Sequence, residues 1–153
     1  MIHIKRFTAY CFVFMSLIGL SCDDEGDTFI DGSLVKNYNI EYKSLRVRLY
    51  PDQFSVEYIS KEDVPALLIS IDTTQVALKQ GKTYDLAKYG AITRYDEFGA
   101  LPEVESGELT LETFADKDGA EVSGTFHARL ISKNESSQSL RGAFKSKLEK
   151  VEF

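Results

Sequence analysis

Gly124-Thr125-Phe126-His127-Ala128-Arg129-Leu130 and Gly142-Ala143-Phe144-Lys145-Ser146-Lys147-Leu148 are the stretches that decide the fold. Both read glycine, small residue, phenylalanine, any residue, small residue, basic residue, leucine. A pattern with period two marks a strand with one face buried and one face in water. The shared pattern predicts two neighbouring strands that present the same inward face. Glycine and small residues on that face leave room that Phe126 and Phe144 fill. Arg129 and Lys147 then point to solvent. Two copies are too few for a repeat architecture.

The same reading extends outward in both directions. Upstream, Asp116-Lys117-Asp118-Gly119 is a hairpin turn, and Leu109, Leu111 and Thr113 alternate before it. In the first half, Tyr38, Ile40 and Tyr42 share one parity and Leu45, Val47 and Leu49 the other. The slip falls at Lys43-Ser44 and predicts a bulge or a break. Pro51-Asp52-Gln53 is a turn, after which Phe54, Val56 and Tyr58 alternate with Ser55, Glu57 and Ile59. Lys61 to Pro65 is a connection, and the nearly continuous apolar run Ala66 to Ile71 reads as a central strand. No long, capped helix pattern interrupts this series. The expectation is an all-β domain, an antiparallel β-sandwich, with a lipocalin-like β-barrel as the alternative because such barrels are also meanders of similar length.

Composition bounds what such a domain can do. The chain has 153 residues, which suits one domain, and its 43% hydrophobic content supports a folded core. The formal net charge is −6, and no basic run offsets it, so nucleic acid is an unfavourable partner. The only cysteines are Cys11 and Cys22.

The N-terminus has its own order. Lys5-Arg6 precedes the apolar run from Phe7 to Leu20, then come Ser21-Cys22 and the acidic run Asp23-Asp24-Glu25-Gly26-Asp27. Charged, apolar and small segments in that order make a secretory signal peptide. The apolar run is shorter than the roughly 20 residues that a spanning helix needs. Gly19-Leu20-Ser21-Cys22 resembles the lipobox of bacterial lipoproteins: Ser21 and Cys22 fit it, whereas Gly19 and Leu20 depart from it. Gly19 and Ser21 also satisfy the small-x-small rule for ordinary cleavage after Ser21. The lipobox resemblance implies that residues 1–21 are removed and that Cys22 carries a diacylglycerol. Two or more acyl chains hold stably at a membrane, at about 0.8 kcal/mol per buried methylene.

The residues after Cys22 carry a second resemblance. Asp23, Asp24, Glu25 and Asp27 look like the acidic export signal of surface lipoproteins in the Bacteroidota, which implies display on the outside of the outer membrane; a periplasm-facing anchor is the alternative. The same run also reads as a solvated linker. In general form the chain resembles small Bacteroidota lipoproteins with one all-β domain of uncharacterised function, which often end in Gly-x-Phe strands. The expected organisation is a signal peptide at 1–21, a lipidated cysteine and acidic linker at 22–33, and an all-β domain at 34–153.

Few residues carry chemistry. With Cys22 acylated, His127 alone cannot build a usual zinc site. His127 sits opposite in parity to the core face of its strand and is expected in solvent. Asp116, Asp118 and Glu121 around Gly119 are partly like a calcium loop, but a ligand position is missing and strands flank the segment, so a plain hairpin turn is expected. Gly81-Lys82-Thr83 lacks the leading glycine of a phosphate loop. No cofactor and no metal are expected. Asp72-Thr73-Thr74 matches a short O-glycosylation signal used in Bacteroidota.

Residues 81–102 are richest in recognition chemistry. Tyr84, Tyr89, Arg94, Tyr95 and Phe98 stand beside Gly81, Gly90, Gly99 and Pro102. Aromatics with polar tips near turns suit recognition of sugars or partner proteins; alternatively, these rings cap an open end of the core. The expected function is a non-catalytic binding or structural module at the outer membrane, with a glycan or an envelope protein as partner. The alternatives are a small envelope enzyme using a carboxylate pair, or a barrel carrying an apolar ligand in a cavity lined by residues such as Leu68, Phe54 and Phe126.

Overall fold

The computed structural model describes residues 28–134 and 136–152. The expectations for residues 1–21 and for Cys22, Asp23, Asp24, Glu25 and Asp27 lie outside the described residues. In chain order the elements are β1 (Phe29–Asp31), α1 (Ser33–Asn37), β2 (Ser44–Leu49), β3 (Gln53–Ile59), β4 (Pro65–Asp72) and β5 (Thr83–Asp85). Then follow α2 (Leu86–Tyr89), β6 (Gly90–Thr93), a 3-10 turn at Asp96–Phe98, β7 (Glu103–Thr113), β8 (Glu121–Ile131) and β9 (Ser137–Lys150). The domain is all-β, as its alternation requires, and no helix among the described residues is long and apolar enough to cross a membrane.

The strands form one sheet with the order β5-β7-β8-β9-β2-β3-β4-β6, and β1 pairs with β9 off this path. Its neighbours are antiparallel except β2 and β9, which run parallel from Val47 opposite Leu148 to Leu49 opposite Lys150. The length of β9 makes this continuity possible. One edge carries β8 along its length, while the other carries β1 at Arg141–Ala143 and β2 at Leu148–Lys150.

The sheet curls into a nearly closed, barrel-like form, compatible with the lipocalin-like alternative. The two strands at the ends of the path, β5 and β6, are consecutive in sequence and are joined by the four residues of α2. Asp85 caps this turn, its Oδ1 accepting from the backbone N–H of Ala87 at 2.9 Å and of Lys88 at 3.2 Å. Leu86 is driven fully into the core. Gly90 is required at its exit, because a Cβ there would lie 2.7 Å from the Ser70 carbonyl oxygen and 2.8 Å from Leu86 Cδ2.

The predicted pairing of the two Gly-x-Phe strands is present as β8 against β9. Gly124 lies opposite Phe144, and Phe126 opposite Gly142. Along β8, Val122, Gly124, Phe126, Ala128 and Leu130 are buried, and Arg129 and His127 are exposed on the other face, as is Lys147 on β9. Inside the barrel, Phe54 meets Phe144 at 6.5 Å and Tyr58 meets Phe126 at 6.1 Å between ring centroids. Phe54 and Phe126 are thus part of a packed interior. Leu68 faces away from the inward set Leu67, Ile69 and Ile71 and is half-buried, so it shares no wall with them.

Two local expectations are corrected. Tyr38, Ile40 and Tyr42 are not a strand: they follow α1 through a turn in which Asn39 has a positive φ of 49°. β1, at Phe29–Asp31, also lies inside the segment 22–33 expected to be linker. β1 occupies an edge of β9 that the sequence does not advertise. Tyr58 Oη donates to the Ala143 carbonyl at 2.7 Å and reaches the Phe29 carbonyl at 3.3 Å, and Tyr42 Oη donates to the Thr28 carbonyl at 3.2 Å. Arg141 pairs with Asp31 at 2.7 Å.

Candidate functional site

The two ends of the barrel are built differently. At one end α1 acts as a plug: Leu34 is fully buried, Asn37 Nδ2 donates to Gln138 Oε1 at 2.6 Å, and the Ser139 backbone N–H donates to Ser33 Oγ at 2.8 Å. The opposite end, where β2, β4 and β9 finish, carries a ridge with a hollow on each side.

The ridge is made by the β2–β3 turn and the segment that follows β4. Tyr50 N–H donates to the Gln53 carbonyl at 2.8 Å, closing the turn, and Thr73 N–H donates to the Asp52 carbonyl at 3.0 Å, tying the two segments together. Asp72 organises the second. Its Oδ1 accepts from the Thr74 backbone N–H at 2.9 Å and the Thr74 hydroxyl at 2.6 Å, and its Oδ2 accepts from Gln75 Nε2 at 2.6 Å. Donors from Thr74 and then Gln75 hold the Asp72 carboxyl below the usual carboxylate range.

The first hollow, about 440 Å³, has an apolar floor of Leu49, Val76, Leu78 and Phe114 and a polar rim that includes Lys150 and Glu152. Phe114 stacks edge-on against Phe54 at 6.2 Å, so this floor continues the core. The Thr73 hydroxyl oxygen is buried without a hydrogen-bond partner, which puts the oxygen of the Asp72-Thr73-Thr74 match out of solvent. On the rim, Lys150 Nζ pairs with Asp116 at 2.7 Å, and the Lys150 backbone N–H donates to Asp118 Oδ1 at 2.9 Å. The Asp116–Gly119 carboxylates therefore fasten the hairpin to β9. Among the described residues no cluster of three or more histidine, cysteine or acidic side chains could hold a metal ion.

The second hollow, also about 440 Å³, is polar, with Gln53, Gln75, Lys88 and Tyr89 in its lining beside Asp52 and Asp72. Lys88 Nζ stands 4.8 Å from the centroid of the Tyr89 ring. Carboxylate, amide, ammonium and phenol groups in one shallow hollow supply the donors and acceptors that a polyhydroxylated ligand or a peptide surface uses.

The five residues expected to form one binding surface are dispersed. Tyr84 is 1% exposed. Its hydroxyl accepts from the Lys79 N–H at 2.7 Å and lies 3.3 Å from the Ala77 carbonyl, so it clips the loop that walls the first hollow. Tyr89 lines the second hollow. Arg94, Tyr95 and Phe98 lie past the other end of β6, at the plugged end, where Tyr95 N–H donates to the Pro65 carbonyl at 2.9 Å. Tyr95 is 39% exposed and meets Phe98 edge-on at 6.0 Å. Sequence reasoning missed the floor of the first hollow. Its only local trace is the apolar pair Val76 and Leu78 directly after the Asp72–Thr74 turn.

Comparison with family models, with curated proteins and with solved structures finds no match for this chain.

Proposed function

We propose that this chain is a lipid-anchored lipoprotein of the bacterial envelope that acts as a non-catalytic binding module at the outer membrane, displayed on the cell surface. The observation that carries the binding role is the contrast between a filled interior and an open, ridged end. A core packed with Phe54, Tyr58, Phe126 and Phe144 moves recognition to the outside of the barrel. There the two hollows flank the tied ridge of Asp52 and Thr73, one with an apolar floor and one polar. A glycan or an extended segment of an envelope protein matches such a surface, ring or apolar faces meeting Phe114 and Tyr89 and polar groups meeting Gln53, Gln75 and Lys88.

The anchoring half of the reading rests on the Lys5-Arg6, apolar, Ser21-Cys22 order and on the acidic residues Asp23, Asp24, Glu25 and Asp27. Protease shaving of intact and lysed cells tests it, with the wild type beside Cys22→Ala. Loss of the wild-type protein from intact cells supports surface display, and cleavage only after lysis assigns it to the periplasmic side. If Cys22→Ala stays with the membrane fraction as the wild type does, lipidation at Cys22 is overturned.

A further inference from the structure

At the plugged end, Arg94 is a half-buried cation with no carboxylate partner among the described residues. Its guanidinium donates to the Tyr38 carbonyl through Nη1 at 3.2 Å and to the Phe98 carbonyl through Nη2. It also lies over the rings of Tyr38 and Phe98, 5.8 and 5.3 Å from their centroids. A guanidinium has five N–H donors. Two are used on these carbonyls, and Nε is buried without a partner. Desolvation pulls the Arg94 pKa below its usual value, the direction expected of a charge that leaves water without an opposite charge.

A hollow of about 170 Å³ adjoins this group, lined by Tyr38, Asn39, Ser60 and Ala66 and edged by Glu41 and Glu62. Its wall is braced: Ser60 N–H donates to the Val64 carbonyl at 2.8 Å, and Ser60 Oγ accepts from the Glu62 N–H at 3.2 Å. The Ser60 hydroxyl holds the Glu62 carboxyl below the usual range, so Glu62 is charged at neutral pH. Glu41 keeps only a long contact with Lys61, at 3.9 Å, between two well-exposed side chains. The hollow has room for about five or six waters at roughly 30 Å³ each, the scale of a small amino acid.

We propose that this hollow binds a small zwitterion, its carboxylate taken by Arg94 and its ammonium by Glu41 and Glu62. Arg94 in the wall and Glu41 and Glu62 at the edge, with Lys61 and Lys43 nearby, complement a ligand that carries both charges, whereas a ligand with one charge engages only one side. The planar guanidinium, fixed by two carbonyls and two rings, is pre-organised for a carboxylate. This inference is independent of the anchoring and of the ridged end.

An NMR titration of the 15N-labelled full chain tests it, with L-alanine, L-alaninamide, N-acetyl-L-alanine and inorganic phosphate as probes. The expected result is saturable shifts at Ser60, Glu62 and Arg94 with alanine, and binding at least tenfold weaker for each of the other three. Arg94→Met is expected to abolish the alanine response and Glu62→Gln to weaken it, with folding checked by the remaining spectrum. If Arg94→Met fails to fold, the four probes on the wild type decide alone. The proposal is overturned if alanine gives no saturable shift, or if N-acetyl-alanine or phosphate binds as tightly, which would leave an anion site only.

Discussion

Phe126 lies across Gly142 on the adjoining strand, its ring carbon Cζ 2.5 Å from the point where a Cβ on that glycine would stand. Phe144 lies across Gly124 in the same way, at 2.7 Å. Each strand supplies the ring that covers the other's glycine, and this reciprocity fixes the register of β8 on β9. A slip of one residue would turn the apolar set outward, and a slip of two would set ring against ring.

Gly142→Ala is therefore expected to destabilise the protein by about 1–3 kcal/mol, the usual cost of overpacking a filled core. The added methyl also meets the Phe29 carbonyl oxygen at 2.5 Å, so β1 should loosen with it. Urea denaturation with amide exchange at Phe29–Asp31 checks both effects. An unchanged midpoint would show that the ring can move aside at no cost.

Tyr58→Phe removes the hydroxyl that reaches both the Ala143 and Phe29 carbonyls, at 2.7 and 3.3 Å. A loss of about 1–2 kcal/mol is expected for leaving buried acceptors less satisfied. Exchange of the β1 amides should accelerate well before that of β8. Burial raises the pKa of this phenol strongly, with Tyr42 adding to it, so its ultraviolet signal should not titrate in the folded state.

Asp31 gives a pH dependence of known sign. The hydrogen bond from Arg141 is the main cause that holds its carboxyl below the usual range. The unfolded chain then takes up this proton first as pH falls. The stabilising contribution is fully present above the unfolded value, about 3.9, and is lost as pH falls through the lower folded value. The protection factors of the β1 amides, each taken against the intrinsic rate at the same pH, should fall in that acidic window. In Asp31→Asn the fall should vanish; its persistence would assign the effect to another group.

Tyr84→Phe separates a support role from ligand contact. With its hydroxyl turned to Lys79 and Ala77, loss of about 1 kcal/mol and faster exchange at Lys79 are expected. Lys88→Ala, at an exposed side chain that lines the polar hollow, should leave stability within about 0.5 kcal/mol and act on binding there instead. Denaturation of both variants beside binding to a glycan array distinguishes the two.

Leu86→Ala tests the seam. The side chain is fully buried on the turn that joins the end strands of the sheet. A cost of about 2–5 kcal/mol is expected for the cavity, with exchange at β5 and β6 rising more than at β3. Uniform loosening of all strands would argue that α2 does not hold the closure.

Period-two alternation names the inward residues of β8 and β9 without knowledge of their neighbours, whereas β3 is buried on both faces, Ser55 and Glu57 included, against its alternation. The Gly-x-Phe pairs were legible for the same reason: Gly124, Phe126, Gly142 and Phe144 carry their packing partner in the facing copy of their own pattern. His127 and Lys147 followed by parity. The remaining features depend on contacts between distant segments. Whether the sheet lies open as two layers or curls toward a barrel turns on β2 meeting the second edge of β9 in parallel and on α2 joining β5 to β6, and neither leaves a local pattern. The candidate surface dispersed for a related reason: β6 runs between Tyr89 and Arg94, so residues close in sequence reach opposite ends of one wall. The ridge and its hollows gather Leu49, Asp72, Phe114 and Lys150 from four strand ends, a convergence that only folding produces.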